Sequence, residues 1–207
     1  MRTVQNINDR FLNGFASNDL WEAGVLLHHA DAQDNGGKHW LPSGGYADRL
    51  AGSVINRKWP YTFSRSQPGF IANPDVMQGS LYCASRQDQN SMGDHGDHGC
   101  HGGRQALKTM LSGQHAGWYC ACARGTSCDD RNGCQYNEVE INAYTWTNKL
   151  PRTVEAIFYP GRASAYGIAI HNSFLADYGL QARDCPLLEF DYQAAAEGRA
   201  PFRQVRP

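Results

Sequence analysis

A chain of 207 residues with 41% apolar and 11% aromatic side chains is long enough to bury one sizeable core and too apolar to remain disordered. Its formal net charge of -1 lacks the field that a general nucleic-acid binder carries, so nucleic acid is disfavoured as a partner. No run approaches the about 18 consecutive apolar residues of a membrane span, so the expectation is a single catalytic-sized domain over 1–207 with no membrane partner.

Val4, Ile7, Phe11, Leu12 and Phe15 recur three and four residues apart, which predicts an amphipathic helix over 4–19, closed at Gly14 or Asn18, within an N-terminal helical unit spanning 1–22. Ala23 to Leu27 form an apolar run ending in His28 and His29, which reads as a buried strand delivering polar side chains at its edge. Residues 31–45 are a loop by composition, and Ser53 to Ile55 open a short strand or helix. Trp59, Tyr61 and Phe63 alternate with Pro60, Thr62 and Ser64, a strand signature. A turn at Gln67, Pro68 and Gly69 leads to Phe70 and Ile71, and Ser80 to Cys83 is strand-like before a polar loop from Arg86 to Gly103. Arg104 to Leu111 can make one short helix.

From Asn137 to Trp146 the alternation predicts a strand, with Glu138, Glu140, Asn142, Tyr144 and Trp146 on one face and Val139, Ile141, Ala143 and Thr145 on the other. Val154 to Tyr159 and Ser164 to His171 look like two more strands, followed by a helix over Asn172 to Leu180, a strand over Leu187 to Asp191, and a loosely held tail from Arg199 to Pro207. Many strands with few helices point to an α+β fold around an antiparallel or mixed sheet.

Seven cysteines are present, and Cys100, Cys120, Cys122, Cys128 and Cys134 fall in a Gly-, Asp- and Asn-rich stretch that needs cross-links to hold a shape. Their spacing does not match a paired zinc knuckle, so disulfide-stapled loops and a secreted or exported destination are expected, with reduced thiols and structural zinc as the alternatives. Met1 to Asn6 carry no leader-like apolar run, which fits a cytosolic protein, an export route that needs no leader, or a mature form without its leader. The odd count leaves one thiol without a partner in the chain. In the segment GDHGDHGCHGG, Asp94, His95, Asp97, His98, Cys100 and His101 are suitable ligands for zinc, copper or nickel, and the same composition also describes a plain solvated loop. Arg57 and Lys58 are candidate pyrophosphate neutralisers or residues of a solvated turn.

Strand-borne His28, Ser64 and Glu138 come from three separate segments. Removing a good leaving group from a sugar needs a carboxylate to stabilise an oxocarbenium-like ribose, and groups that hold the substrate still, which a strand Glu supported by a neighbouring Ser can supply. The segments GVLLHHAD (24–31), PYTFSRS (60–66), LYCASRQDQNSMGDHGDHGCHGG (81–103), NEVEINAYTW (137–146) and LPRTVEAIFYPGRASAYG (150–167) resemble, in order and content, the halovibrin-type secreted bacterial toxins across most of 23–190.

That resemblance implies the split mixed or antiparallel sheet of the ADP-ribosyltransferase type, and an enzyme that consumes NAD as substrate with no cofactor and no metal. It implies a nucleotide-holding residue at the end of the first strand, matched by His28 or His29 where the halovibrin-type relatives carry Arg. It implies an aromatic and Ser element, matched by Tyr61, Phe63 and Ser64, with Ser64 orienting the catalytic carboxylate and an aromatic ring against nicotinamide. The Glu-x-Glu pattern is met by Glu138-Val139-Glu140; aligning on Asn137-Glu138 makes Glu138 catalytic, while the literal motif makes it Glu140. The two lie roughly 7 Å apart on one strand face. A disulfide between Cys83 and Cys100 is also implied, contributing about 3 kcal/mol in the chain-entropy model. The expected activity is hydrolysis of NAD to nicotinamide and ADP-ribose. Mono-ADP-ribosyl transfer to a protein acceptor is the close variant, and a toxin of this kind implies an immunity protein as partner. Two other classes stand beside it: a metal-dependent nuclease built on His95, His98, His101 and Asp94 or Asp97, and a disulfide-rich secreted binding module.

Overall fold

A computed structural model describes residues 2–30, 37–42, 49–60, 67–77, 81–85, 101, 102, 107, 108, 111, 137–161 and 165–205, with residues 2, 81–83, 85, 101, 102 and 138 in backbone alone. Helix α1 (Arg2–Asn13) forms where Val4, Ile7, Phe11 and Leu12 recur at helical spacing, and it buries Ile7 and Phe11 fully. The expected single helical unit over 1–22 is in fact two helices. The chain leaves α1 at Gly14, and Asp19 caps α2 (Leu20–Ala23) by accepting from the Trp21 N–H at 3.0 Å. Gly24 follows with φ of 148°, and a Cβ there would lie 2.3 Å from the Ile55 carbonyl oxygen, so a glycine is required where α2 hands the chain to the sheet.

Among the described residues nine strands run β1 (Val25–His29), β2 (Arg49–Ile55), β3 (Gly69–Ala72), β4 (Leu81–Ser85), β5 (His101–Gly102), β6 (Glu138–Asn142), β7 (Val154–Pro160), β8 (Leu187–Phe190) and β9 (Phe202–Gln204), with the one-turn helix α3 (Pro74–Met77) after β3. Their spatial order is β5-β4-β6-β2-β1-β3-β7-β8-β9. The described pairings are antiparallel except β7 with β8, which run parallel and are joined through helix α5 (Ala165–Tyr178), as a parallel neighbour requires a long crossover. The molecule is therefore α+β with a mixed sheet. Strand β2 joins its two halves: Ser53 to Ile55 pair with β1, whereas Arg49 to Gly52 pair with β6.

Both faces of the sheet are packed. On one, Leu26, Val54, Phe70, Val139 and Ile141 meet Trp40, Trp146 of α4 (Ala143–Asn148), and Ile170 and Phe174 of α5. On the other, Val25, Leu27, Ile55, Ile71 and Phe158 meet Ile7 and Phe11 of α1 and Ala195 of α6 (Tyr192–Ala196). Arg10 of α1 reaches Glu155 of β7 with both terminal guanidinium nitrogens, tying the helix to the sheet.

Three sequence expectations change. The strand expected over 137–146 stops at Asn142, whose side chain accepts from the Thr145 N–H at 2.9 Å and starts α4. Tyr144 is thereby 64% exposed while Trp146 is fully buried, a split that a single strand face does not allow. Of the strand expected over Ser164 to His171, the stretch from Ala165 onward is part of α5, whose buried residues Gly167, Ile170, His171 and Phe174 follow helical spacing, and Ser164 lies outside the described residues. The tail expected to be loose contains β9, with Phe202 buried and clamped by Asn8, which donates to its carbonyl at 2.9 Å and accepts from its N–H at 3.0 Å.

Candidate functional site

Strands β1, β2 and β6 are neighbours, and their register decides which polar side chains share a surface. Leu27 pairs with Ser53, Ala51 with Glu140, and Gly52 with Val139. Since alternate residues face opposite sides, Arg49, Ala51 and Glu140 share a face with Leu27 and His29. His28 lies on the other face, with Leu26, Val54 and Val139.

Arg49 and Glu140 are diagonal neighbours, and Arg49 Nη1 donates to Glu140 Oε2 at 3.0 Å. Glu140 is only 9% exposed, so its charge is largely removed from water and the guanidinium supplies the compensating interaction. Glu138 occupies the backbone position two residues earlier, paired with Ser85 of β4, and Glu140 itself pairs with Cys83. Exposed Ala51 forms a low floor beside Glu140, and His29 sits one further strand away, roughly 10 Å from Glu140 across two inter-strand spacings.

The two histidines differ. His28 Nδ1–H donates to the Ala51 carbonyl oxygen at 2.7 Å, which fixes its tautomer, and its ring packs edge-on to Trp146 at 5.6 Å and beside Phe70 at 6.1 Å. It is a core residue of the face covered by Trp40, α4 and α5. His29 lies edge-on to Phe158 at 5.6 Å. Burial, and then the neighbouring His28, push its imidazole down from 6.5 to about 4, against a hydrogen bond with the Gln67 backbone, so His29 is neutral near pH 7. Gly69 pairs with His29, and a Cβ there would come within 2.5 Å of the His28 carbonyl oxygen and 2.7 Å of the Phe158 ring, so glycine permits this close approach.

Buried amides frame the site. Asn137 donates to the Val54 carbonyl at 2.7 Å and accepts from its N–H at 2.8 Å, continuing with a side chain the ladder that β6 begins at Glu138. Behind His28, Trp146 Nε1–H donates to the Trp40 carbonyl at 2.8 Å and Thr153 Oγ1 donates to the Trp146 carbonyl at 3.2 Å. These bonds hold the aromatic layer against which β1 is fixed.

Of the residues singled out in the sequence, the structure brings Glu140, Glu138 by backbone position, and His29 to one face, and it sends His28 to the other. Arg57 is exposed in the turn after β2, its N–H bonded to the Phe11 carbonyl at 2.9 Å, roughly 20 Å along the strand from the Arg49 end, and so does not join Glu140. Tyr61, Phe63, Ser64, His95, His98, Cys100, Cys120, Cys122, Cys128 and Cys134 lie outside the described residues, while Cys83 and His101 are described in backbone only. No group of three metal-ligating side chains occurs among the described residues. Cys185 is a free, buried thiol, pushed up to about 12 by burial and then by Asp184 and Glu155.

Sequence reasoning missed Arg49. Its only signal is a cation two residues before Ala51 in RLAGSVI, opposite the NEVEIN strand, and it becomes visible once the register is known. No helix among the described residues is long and apolar enough to cross a membrane. No family model, no curated protein and no solved structure matches the chain.

Proposed function

We propose that this protein is a secreted or exported NAD glycohydrolase on a core of the ADP-ribosyltransferase type, with water as acceptor and no cofactor. The observation that carries this reading is the carboxylate strand β6, in which Glu140 is buried, held by Arg49, and two residues from Glu138. In the reaction the bond between ribose C1′ and the pyridinium nitrogen breaks, and its electron pair neutralises nicotinamide. The ribosyl group passes through an oxocarbenium-like state until a water oxygen bonds C1′ and releases a proton. Nicotinamide leaves without needing a proton, so fixed negative charge and orientation do most of the work.

Glu138 is assigned as the carboxylate that stabilises the ribosyl cation. Glu140, tethered by Arg49, is assigned to the ribose hydroxyls, because a carboxylate already opposed by a guanidinium is a weaker stabiliser of a second cation. His29 replaces His28 as the histidine of the Glu140 face and, with both ring nitrogens buried, is assigned to holding β1 in place there rather than to touching the nucleotide. The roles of Ser64, Tyr61 and Phe63, and the disulfide between Cys83 and Cys100, rest on the likeness to halovibrin-type toxins. Mono-ADP-ribosyl transfer uses the same bond cleavage with a protein nucleophile in place of water.

The test is release of nicotinamide from NAD by purified, oxidised protein in the presence of EDTA. Turnover dependent on Glu138 supports the reading, and a folded protein without turnover or transfer overturns it.

A further inference from the structure

On α1, Asn6, Asp9, Arg10 and Asn13 recur at positions i, i+3, i+4 and i+7 and form one polar stripe. That stripe lines one side of an open cleft of about 380 Å³, and Phe15, Trp21 and Glu22 line the other. None of these residues belongs to the Arg49–Glu140 face. Phe15 is 50% and Trp21 48% exposed, although both border a cavity large enough to bury them against a ligand.

The charges are uneven. Arg10 lies at the base of the cleft, but its terminal nitrogens are engaged by Glu155, so its charge is neutralised locally. Asp9 has no ion pair among the described residues, and Glu22 accepts from the Ser17 hydroxyl rather than from a cation. Two carboxylates therefore give the cleft a negative bias. The indole already shows what it takes: the Arg10 guanidinium carbon stands 5.8 Å from the Trp21 ring centroid, a cation–π arrangement. About half of that side chain remains exposed.

We propose that the α1–α2 cleft binds an organic cation bearing a guanidinium or alkylammonium group, stacked on the open part of Trp21 with its N–H donors directed to Asp9 and Glu22. The aromatic walls supply the apolar contact and the carboxylates supply sign selectivity. An anion or a neutral isostere is excluded by the loss of both electrostatic contributions.

The experiment is a ¹⁵N–¹H NMR titration of the full chain with arginine amide, at constant ionic strength set with sodium chloride, beside citrulline amide, both acetylated at the α-amine so that the second is a neutral isostere of the first. The expected result is a saturable shift of the Trp21 indole N–H and the Phe15 amide by arginine amide and not by citrulline amide. Trp21→Ala weakens binding about fivefold, and Asp9→Asn weakens it about twofold, both sites being exposed. A pentapeptide Gly-Gly-Arg-Gly-Gly serves as the second arm: tighter binding than arginine amide assigns the cation to a protein side chain, and equal binding assigns it to a free small molecule. Equal shifts from citrulline amide, or shifts that sodium chloride alone reproduces, overturn the proposal.

Discussion

Arg49 and Glu140 meet at 3.0 Å across β2 and β6, with the carboxylate on the less exposed side of the pair. Removing the cation leaves a nearly buried carboxylate opposed by less positive charge. Arg49→Ala is therefore expected to destabilise the fold by about 2 kcal/mol, and Arg49→Lys to recover part of it. Urea denaturation checks both. Equal stability of Arg49→Ala and the parent contradicts a structural role for the pair.

The second prediction concerns pH and His29. Its folded value of about 4 lies below the ordinary 6.5, so between these values the unfolded chain binds a proton that the folded chain does not. Stability is therefore intact above about 6.5 and is lost as pH falls toward 4, by up to about 3 kcal/mol from this group. His29→Gln removes that titration, and the difference in stability between parent and variant must change across this window and flatten above it. A pH-independent difference measured by thermal unfolding contradicts the assignment.

Much of this arrangement was legible before the structure. Ile7 and Phe11 announced α1, the run ending in His28 and His29 announced β1, and the alternation in NEVEIN announced β6. The sidedness of the two histidines was not legible, because adjacent strand residues differ only in face, and only the pairing of Leu27 with Ser53 and of Ala51 with Glu140 tells which is which. Strand β2 was half hidden because Ala51 and Gly52 are poor strand formers, so the partner cation Arg49 had no recognisable element around it. Tyr166 and Ile168 are exposed members of α5 that mimicked a period of two with buried Ile170, and this produced the wrong strand over 164–171.

A third prediction follows from Asn137, which satisfies both the N–H and the carbonyl of Val54 in a buried setting. Asn137→Asp keeps an acceptor and loses the donor, leaving the Val54 carbonyl unsatisfied beside a buried charge. The expected loss is about 2 kcal/mol or more in urea denaturation. A neutral outcome contradicts the view that this amide completes the β2–β6 ladder.

Cys185 provides a fourth. It is 1% exposed, with its thiol held protonated by burial up to about 12. Iodoacetamide at pH 8 should leave it unmodified in the native protein and label it in urea, as read by peptide mass spectrometry. Rapid native labelling contradicts the packing of β8 and α5 around it.

Nicotinamide release from NAD, with EDTA throughout, by the parent, Glu138→Gln, Glu140→Gln and Arg49→Lys decides whether the β6 carboxylates perform this hydrolysis. The expected result is turnover in the parent that EDTA leaves intact, a loss of about a hundredfold or more in Glu138→Gln, and smaller losses in the other two, expressed partly as a raised KM. Retained turnover in a folded Glu138→Gln, or no turnover in any of the four proteins, contradicts it.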